Sequence, residues 1–546
     1  MCDERSSLTP NGPSINTAPV TDDSVTIVQQ SSRHALPWYQ RLGYSVGHVQ
    51  NDLCSAMWFS YLLVFMVSVL QFTHQSAGVL LLIGQVADAM STPIVGIECD
   101  RSLDWVICKY GRRKTWHLLG TVCVLLSFPL IFNICIGCSN SHDYAKMIYY
   151  SSFIIIFQFG WASVQISHLS LIPDLTPISC ERIELNAFRY AFTVASNIFV
   201  YAITWFLLRA NFSKSFDITN QSPASSQSTI GPDNLNDFRN TALVVIVVGG
   251  IFSILFHLLV RERKVQSNHT INSSIEDGIT NIDYSCPSNH LKWRHWFRVP
   301  QFYKIGILYM ATRLTINLTQ VYTPFYLQYN LFLNKESIAY IPLVMYLSGF
   351  KSSFFIKFLN QKAGRKMTYL IGCLLSLAAF SWIYLGHGAT FKQYEIYGVA
   401  VLIGLSGTTM LITSLGITND LIGHNTSSGA FVFGAMSFLD KLSNGIAVML
   451  IQLHHPCSKQ TCAGCCDYYR QVLTFVCGGS TVLGILMLIT LIPNKIGEIS
   501  ASASSAQNNR NNSNRKLCAA KEANGEECSC SDSDSAPLLR PSDKSD

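Results

Sequence analysis

Four ionisable side chains stand inside long apolar stretches of this sequence: Asp52, Asp88, Arg313 and Lys441. Placed at the centre of a bilayer-spanning helix, each such group costs about 2.5–3.5 kcal/mol and needs a counter-charge, a proton or a bound ligand. Their neighbours are polar at helical spacing. His48, Asn51, Asp52 and Ser55 share one face, as do Gln85, Asp88 and Thr92. The same holds for Gln158, Trp161, Gln165 and His168, for Arg313, Asn317 and Gln320, and for Ser437, Lys441 and Asn444. Lipid does not tolerate such stripes, so five helices aim them at a shared interior. Interhelical hydrogen bonding accounts for Ser55, Gln158, Gln320 and Ser437. Four charges exceed that need, and opposite charges there can form a pair that a solute or a proton breaks and remakes. His168, near a helix end, reads as a packed histidine rather than a proton carrier.

This is the chemistry of binding and passage. No nucleophile–base constellation, P-loop or metal-ligand motif of the usual spacings occurs, so no catalytic residue, resident metal or cofactor is expected. The 546 residues are 49% hydrophobic and only 13% charged, well below the charged share of soluble enzymes. The net charge of +6 gathers in short segments between apolar blocks, which points to membrane topology and away from nucleic acid.

The elements that must position these groups are twelve apolar spans of about 20 residues or more. They cover 43–70, 77–98, 115–136, 147–172, 185–208, 240–260, 301–328, 336–358, 368–386, 395–417, 429–453 and 468–492. The connections 101–114, 261–298 and 360–367 are basic, whereas 71–76, 137–146, 329–335 and 454–467 are poor in charge. An even number of spans with basic loops on one side places both termini in the cytosol. Tyr110-Gly111-Arg112-Arg113-Lys114-Thr115-Trp116 after the second span is echoed by Ala363-Gly364-Arg365-Lys366-Met367-Thr368-Tyr369 after the eighth. The expected architecture is therefore all-α: two six-helix halves (38–260 and 299–492), a cytosolic linker (261–298) and disordered cytosolic tails (1–37 and 493–546), the parallel repeat of a major-facilitator fold. The basic stretch 289–299 reads as a solvated loop, with a surface helix on anionic lipid as the alternative.

Outside the bilayer, Asn211 and Asn220 head glycosylation sequons on the side away from the basic loops. Cys135, Cys138, Cys457, Cys462, Cys465 and Cys466 lie in loops on that same side, where disulfides are expected rather than zinc. In the C-terminal tail, Asp534 precedes Leu538 and Leu539 at the spacing of an acidic dileucine, which adaptor proteins read for sorting to lysosomes.

Several stretches together carry a resemblance. They are Gly47 to Asp52, Asp88 to Pro93, Glu181 to Arg189, and Gly429 through Asp440-Lys441 to Gly445. The chain resembles the glycoside–pentoside–hexuronide cation symporter branch of the major facilitators, typified by the melibiose carrier. By that resemblance Asp88 matches a cation-site carboxylate, Lys441 the lysine beside it, and Asp52 and Arg189 sugar-contacting positions. Thr92 and Gln165 replace aspartates of the branch, which argues against a two-carboxylate Na⁺ cage and weakens sugar as the substrate. Asp88 then works with a proton or pairs with Lys441. Asp100, Arg101, Gly111, Arg112, Arg113 and Lys114 form the expected conformational-switch loop. The runs TVCVLLSFPLIF, FQFGWASVQISHLSLIPDL and IPLVMYLSGF resemble one organellar group within the branch. That closer likeness implies import of cysteine into lysosomes and melanosomes. A zwitterion would place its carboxylate on Arg313 or Lys441 and its ammonium on Asp52 or Asp88. A lysolipid or sugar carrier, and a scaffold or nutrient sensor that transports nothing, are the competing readings.

Overall fold

The computed structural model describes residues 36–100, 110–138, 141–176, 178–218, 229–262, 293–423, 429–456, 467–493 and 496. Its long elements are all helices. In chain order they are α1 (Trp38–Val46), α2 (Val49–Val64), α3 (His74–Asp100), α4 (Arg112–Ile131), α5 (Asp143–Ser170), α6 (Ser179–Ile218) and α7 (Leu235–Leu259). Then follow α8 (Pro300–Phe325), α9 (Ser337–Ala363), α10 (Arg365–Leu385), α11 (Ile396–Ile422), α12 (Gly429–Leu453) and α13 (Gly478–Leu491). Ten described helical stretches are long and apolar enough to cross a membrane, where twelve were expected. The other two, α8 and α12, have the length. Arg313, Asn317 and Gln320 in α8, and Asp440, Lys441 and Asn444 in α12, dilute their apolar character.

The fifth expected span, 185–208, agrees within two residues with the apolar part of α6, Glu184–Ala210, and the helix continues past it to Ile218 with Asn211 on the extension. No Gly or Pro interrupts the sequence there. In the basic stretch 289–299 the described residues form only the single turn Trp293–Trp296, which is closer to the expected solvated loop than to its alternative, a surface helix. Pro300 then begins α8, at a position where its missing N–H costs nothing.

Helices α1–α7 and α8–α13 form two groups. The innermost helix is α2, which packs on α6, α7 and α8. Its tight turn from α1 depends on Gly47, where an added Cβ would stand 2.5 Å from Phe256 and 2.9 Å from the His168 ring. The groups meet where α3 lies on α12, α9 on α6, and α2 on α8. Small residues make the first contact close: a Cβ on Gly445 would stand 2.9 Å from Gln85, and one on Gly78 would stand 2.9 Å from Gln452. Leu126, Leu258, Phe354, Phe355 and Leu385 are exposed on the flanks, as hydrocarbon contact requires.

The basic repeat has a structural meaning. A helix end leaves carbonyls without partners. Lys114 Nζ donates to the carbonyls of His257 and Val260 (3.1 and 2.7 Å), closing the end of α7. Lys366 Nζ does the same for α13 through Leu491 and Ile492 (2.7 and 3.2 Å). Arg113 pairs with Asp174 at 2.8 Å, and Arg365 with Asp420. The two clamps are equivalent in role but offset by one residue from Gly111 and Gly364, both of which adopt positive φ (+129° and +80°). Glu262, counted as linker in the sequence reading, belongs to the first clamp, because its carboxylate accepts from the N–H groups of Arg113 and Lys114 at the start of α4.

The hydrogen bonds that join the two groups run from mid-span toward the end away from these clamps. Gln320 donates to Ser60 and Tyr201 (3.0 and 3.2 Å). Ser68 meets Tyr329 at 2.7 Å, and Gln328 accepts from the Ile230 N–H at 3.1 Å. His74 meets Gln452 at 2.9 Å and stacks on His455 with ring centroids 3.8 Å apart. Lys114→Met and Lys366→Met each strand two carbonyls at a helix end. Each should cost about 1.5–3 kcal/mol per lost charged bond, seen as a lower thermal unfolding midpoint in detergent. An unchanged midpoint in both variants would rule out the clamp.

Candidate functional site

Asp88 and Lys441 sit where α3 crosses α12. Lys441 Nζ donates to Asp88 Oδ1 at 2.6 Å and to Thr92 Oγ1 at 2.7 Å. The Thr92 hydroxyl in turn donates to the Asp88 carbonyl one turn back at 2.9 Å. Lys441 Nζ also lies 5.3 Å from the centre of the Trp161 ring, within cation–π reach. Asp88 and Lys441 are 4% and 7% exposed, so neither ion has bulk water to fall back on. Thr92, the departure from the symporter pattern, therefore serves as a hydrogen-bonding bridge within a lysine–carboxylate pair.

One residue earlier on α12, Asp440 faces a different neighbour. It accepts from Arg313 Nε at 2.8 Å, from Asn317 Nδ2 at 3.4 Å and from Asn444 Nδ2 at 2.6 Å. Successive residues of an α-helix point about 100° apart. Asp440 is thus turned to α8 and Lys441 to α3, and α12 carries two adjacent ion pairs on two faces. The sequence reading brought Arg313, Asn317 and Asn444 into the site but missed the carboxylate that gathers them. A signal was present, since Asp440 and Asn444 are a polar i, i+4 pair beside a buried lysine. The reading also left Arg313 free to hold a carboxylate, whereas its guanidinium is already paired.

The third group lies wholly in the first half. Asp52 Oδ2 accepts from Thr193 Oγ1 of α6 at 2.9 Å, and its Oδ1 lies 3.0 Å from His48 Nδ1. Asn51, its neighbour, donates to the Trp161 carbonyl at 2.8 Å and so ties α2 to α5. Thr193 also bonds the backbone of Arg189, one turn before it. The Arg189 guanidinium finds no acceptor among the described residues, and its Nε is buried. Gln165 is half-buried and makes no hydrogen bond among them. A small cleft opens beside Asp88, lined by Ser55, Trp58, Phe59, Gln85, Phe157, Gln158 and Trp161. Gln320 does join helices, as expected of a structural amide. Ser55 and Gln158 instead line this cleft.

The remaining expected sites fall elsewhere. Gly111, Arg112, Arg113 and Lys114 belong to the clamp at the start of α4, and Asp100 ends α3. Cys135 and Cys138 are bonded to each other just after α4, with Cα atoms 5.4 Å apart. Arg101, Cys457, Cys462, Cys465, Cys466, Asn220, Asp534, Leu538 and Leu539 lie outside the described residues.

Comparison with known proteins places this geometry in a setting. The profile of the family described as "MFS/sugar transport protein" matches residues 43–493. Major facilitator superfamily domain-containing protein 12 of Homo sapiens is 49% identical over 457 residues, covering 83% of this chain and 92% of that protein. A sodium-dependent lysophosphatidylcholine symporter of Danio rerio is 24% identical over 34% of each chain. Among solved structures, a D-xylose–proton symporter superposes with a TM-score of 0.57 at 12% identity, covering 83% of this chain and 97% of that one. That last likeness concerns the fold alone.

Removing one member of a buried ion pair strands the other charge, at a cost of about 3–5 kcal/mol. Asp88→Asn and Lys441→Met should each lower the thermal midpoint of the purified protein, and the double variant should recover part of the loss. Additive losses in the double variant would mean that the two residues do not act as a pair.

Proposed function

We propose that this chain, which belongs to the MFS/sugar transport protein family and is a multi-pass membrane transporter, moves a small zwitterionic solute by alternating access. The observation that carries the reading is the Asp88–Lys441 pair. It joins the first half to the second, lies beside a cleft, and is buried on both sides. An interior ion pair between two bodies that rock against each other can be exchanged for a pair with a solute or a coupling ion. The bonds that close the end away from the basic clamps, from Ser60 to His74 and from Gln320 to Gln452, fit a state in which access is from the clamp side.

Within this reading the solute's partners differ from the first expectation. Arg313 and Lys441 are both engaged, by Asp440 and Asp88. Arg189 is the interior cation without an acceptor among the described residues, and Asp52 is the carboxylate one short helix step away through Thr193. A carboxylate on Arg189 and an ammonium on Asp52 satisfy a zwitterion by charge-assisted hydrogen bonds. Cysteine is the cargo we put first, entering an organelle of the lysosome–melanosome type, with a proton as coupling ion. The human relative, half identical to this chain, supports assigning both proteins to one group. The adaptor-read dileucine at Asp534, Leu538 and Leu539, and glycans on Asn211 and Asn220, belong to the same reading.

The test is uptake of labelled cysteine into liposomes holding the purified chain, against a panel of amino acids, a sugar and a lysolipid. Cysteine should be favoured, and Asp52→Asn or Arg189→Gln should each lower uptake at least about tenfold, the loss of one charge-assisted bond in a dry site. Preference for the sugar or lysolipid would overturn the cargo, and no uptake of any compound would favour the non-transporting scaffold.

A further inference from the structure

Four histidines, from three helices and a turn, converge near the clamp end of the first half, and only His48 touches the site described above, through Asp52. They are His48 at the α1–α2 turn, His117 in α4, His168 near the end of α5 and His257 near the end of α7. His48 is 5% exposed, His117 1% and His168 0%. His257 is half-buried, and the exposed Tyr110 places its hydroxyl 3.0 Å from His257 Nδ1. From there the groups succeed one another inward. His257 Nε2 lies 3.1 Å from His117 Nδ1, the His117 and His168 ring centroids are 6.0 Å apart, and those of His168 and His48 are 5.6 Å apart. His48 Nδ1 then lies 3.0 Å from Asp52 Oδ1.

The backbone fixes which nitrogens carry hydrogen. His117 Nε2 donates to the Gly47 carbonyl at 3.0 Å, so its Nδ1 is the acceptor for His257. His168 Nε2 donates to the Tyr44 carbonyl at 2.7 Å, and its buried Nδ1 has no partner among the described residues. Neither ring nitrogen of His48 has a hydrogen-bond partner among them, since its contact with Asp52 is close but poorly aligned. Buried polar groups are nearly always hydrogen-bonded, and among the described residues His48 has no such bond at either nitrogen and His168 only one. The charged groups facing the array are Asp52 on α2, Arg189 on α6 and Lys114 on α4. Its other titratable neighbours are Tyr44, Cys54 and Tyr110.

We propose that His257, His117, His168 and His48 form a proton path from the clamp-side surface to Asp52, and that the His48–Asp52 pair is where the coupling proton resides. A proton arriving from Tyr110 or water enters at His257, passes to His117 across their hydrogen bond, and crosses the two wider gaps by ring rotation or one bridging water. It ends as an imidazolium on His48 held by the Asp52 carboxylate, 3.0 Å away. No bond other than N–H and O–H is made or broken, and each imidazole returns to its neutral form once its second nitrogen releases the proton. A solute ammonium drawn to Asp52 competes with that imidazolium, which links solute binding to the proton. This rests on the transport reading above and names its coupling site.

The experiment separates the two claims. In liposomes holding the full chain, a one-unit pH step should concentrate labelled cysteine about tenfold if one proton moves per solute, since one unit is a factor of ten in free-energy terms. His168→Gln, and independently His257→Gln, should lose that response while exchange of labelled for unlabelled cysteine at equal pH persists. Retention of the pH-driven response in both variants would overturn the path. A wild-type chain that exchanges cysteine but ignores the pH step would overturn it too. If no exchange occurs at all, the transport reading fails, and the His48–Asp52 contact is still tested by nuclear magnetic resonance of the histidine rings in the purified chain. The His48 signals should shift in Asp52→Asn while those of exposed His387 stay in place. Unmoved His48 signals would remove Asp52 as the end of the path.

Discussion

A carboxylate carried into hydrocarbon must bring a cation with it or give up its charge. The arrangement of α3, α8 and α12 follows from that constraint. Asp88 is met by Lys441, Asp440 by Arg313, and α12 has to present both faces at once because the two residues are neighbours. The glycines at 78 and 445 let α3 approach closely enough for the first pair to form. One pair lies between the halves and the other within the second half. The first ties the halves to each other, and the second holds α12 to α8.

The clamps answer a complementary need at the membrane edge. Helix ends there expose carbonyls, and a lysine from the start of a neighbouring helix supplies the donors. That the same device recurs at Lys114 and Lys366 gives the internal repeat a physical cause, the closing of the sixth and the last span by the third and the ninth.

Most of the helices were legible because apolar length is a strong signal, and the spans expected at 77–98, 429–453 and 468–492 lie within three residues of the helical stretches observed. The extension of α6 beyond the fifth span was not legible, because the polar residues of 211–218 look like loop and nothing in them forbids helix. Asp88, Lys441, Asp52 and Arg313 were found because a charge inside an apolar run is conspicuous. Asp440 was passed over because one sequence position away stood a more conspicuous ion, and a helix sends the two to different neighbours. The histidines were legible one at a time only. They sit on three helices and a turn, and no spacing rule joins His48, His117, His168 and His257. His168 reads as a packed, hydrogen-bonded ring, and one of its nitrogens is bonded in that way; that its other nitrogen has no partner among the described residues could not be foreseen from sequence.

The sequence separation of the central pair has a consequence for how the protein is made. Asp88 and Lys441 are 353 residues apart along the chain. At roughly 5–20 residues per second, the ribosome delivers the lysine on the order of 20–70 s after the aspartate. Throughout that interval the nascent first half sits in the membrane with an unmatched carboxylate, protonated or shielded by whatever escorts it. Arg313 emerges before Asp440 and waits in the same way, with the opposite sign. Assembly of the two halves is thus also the neutralisation of two orphan charges, and a chain cut short before α12 carries both for as long as it survives.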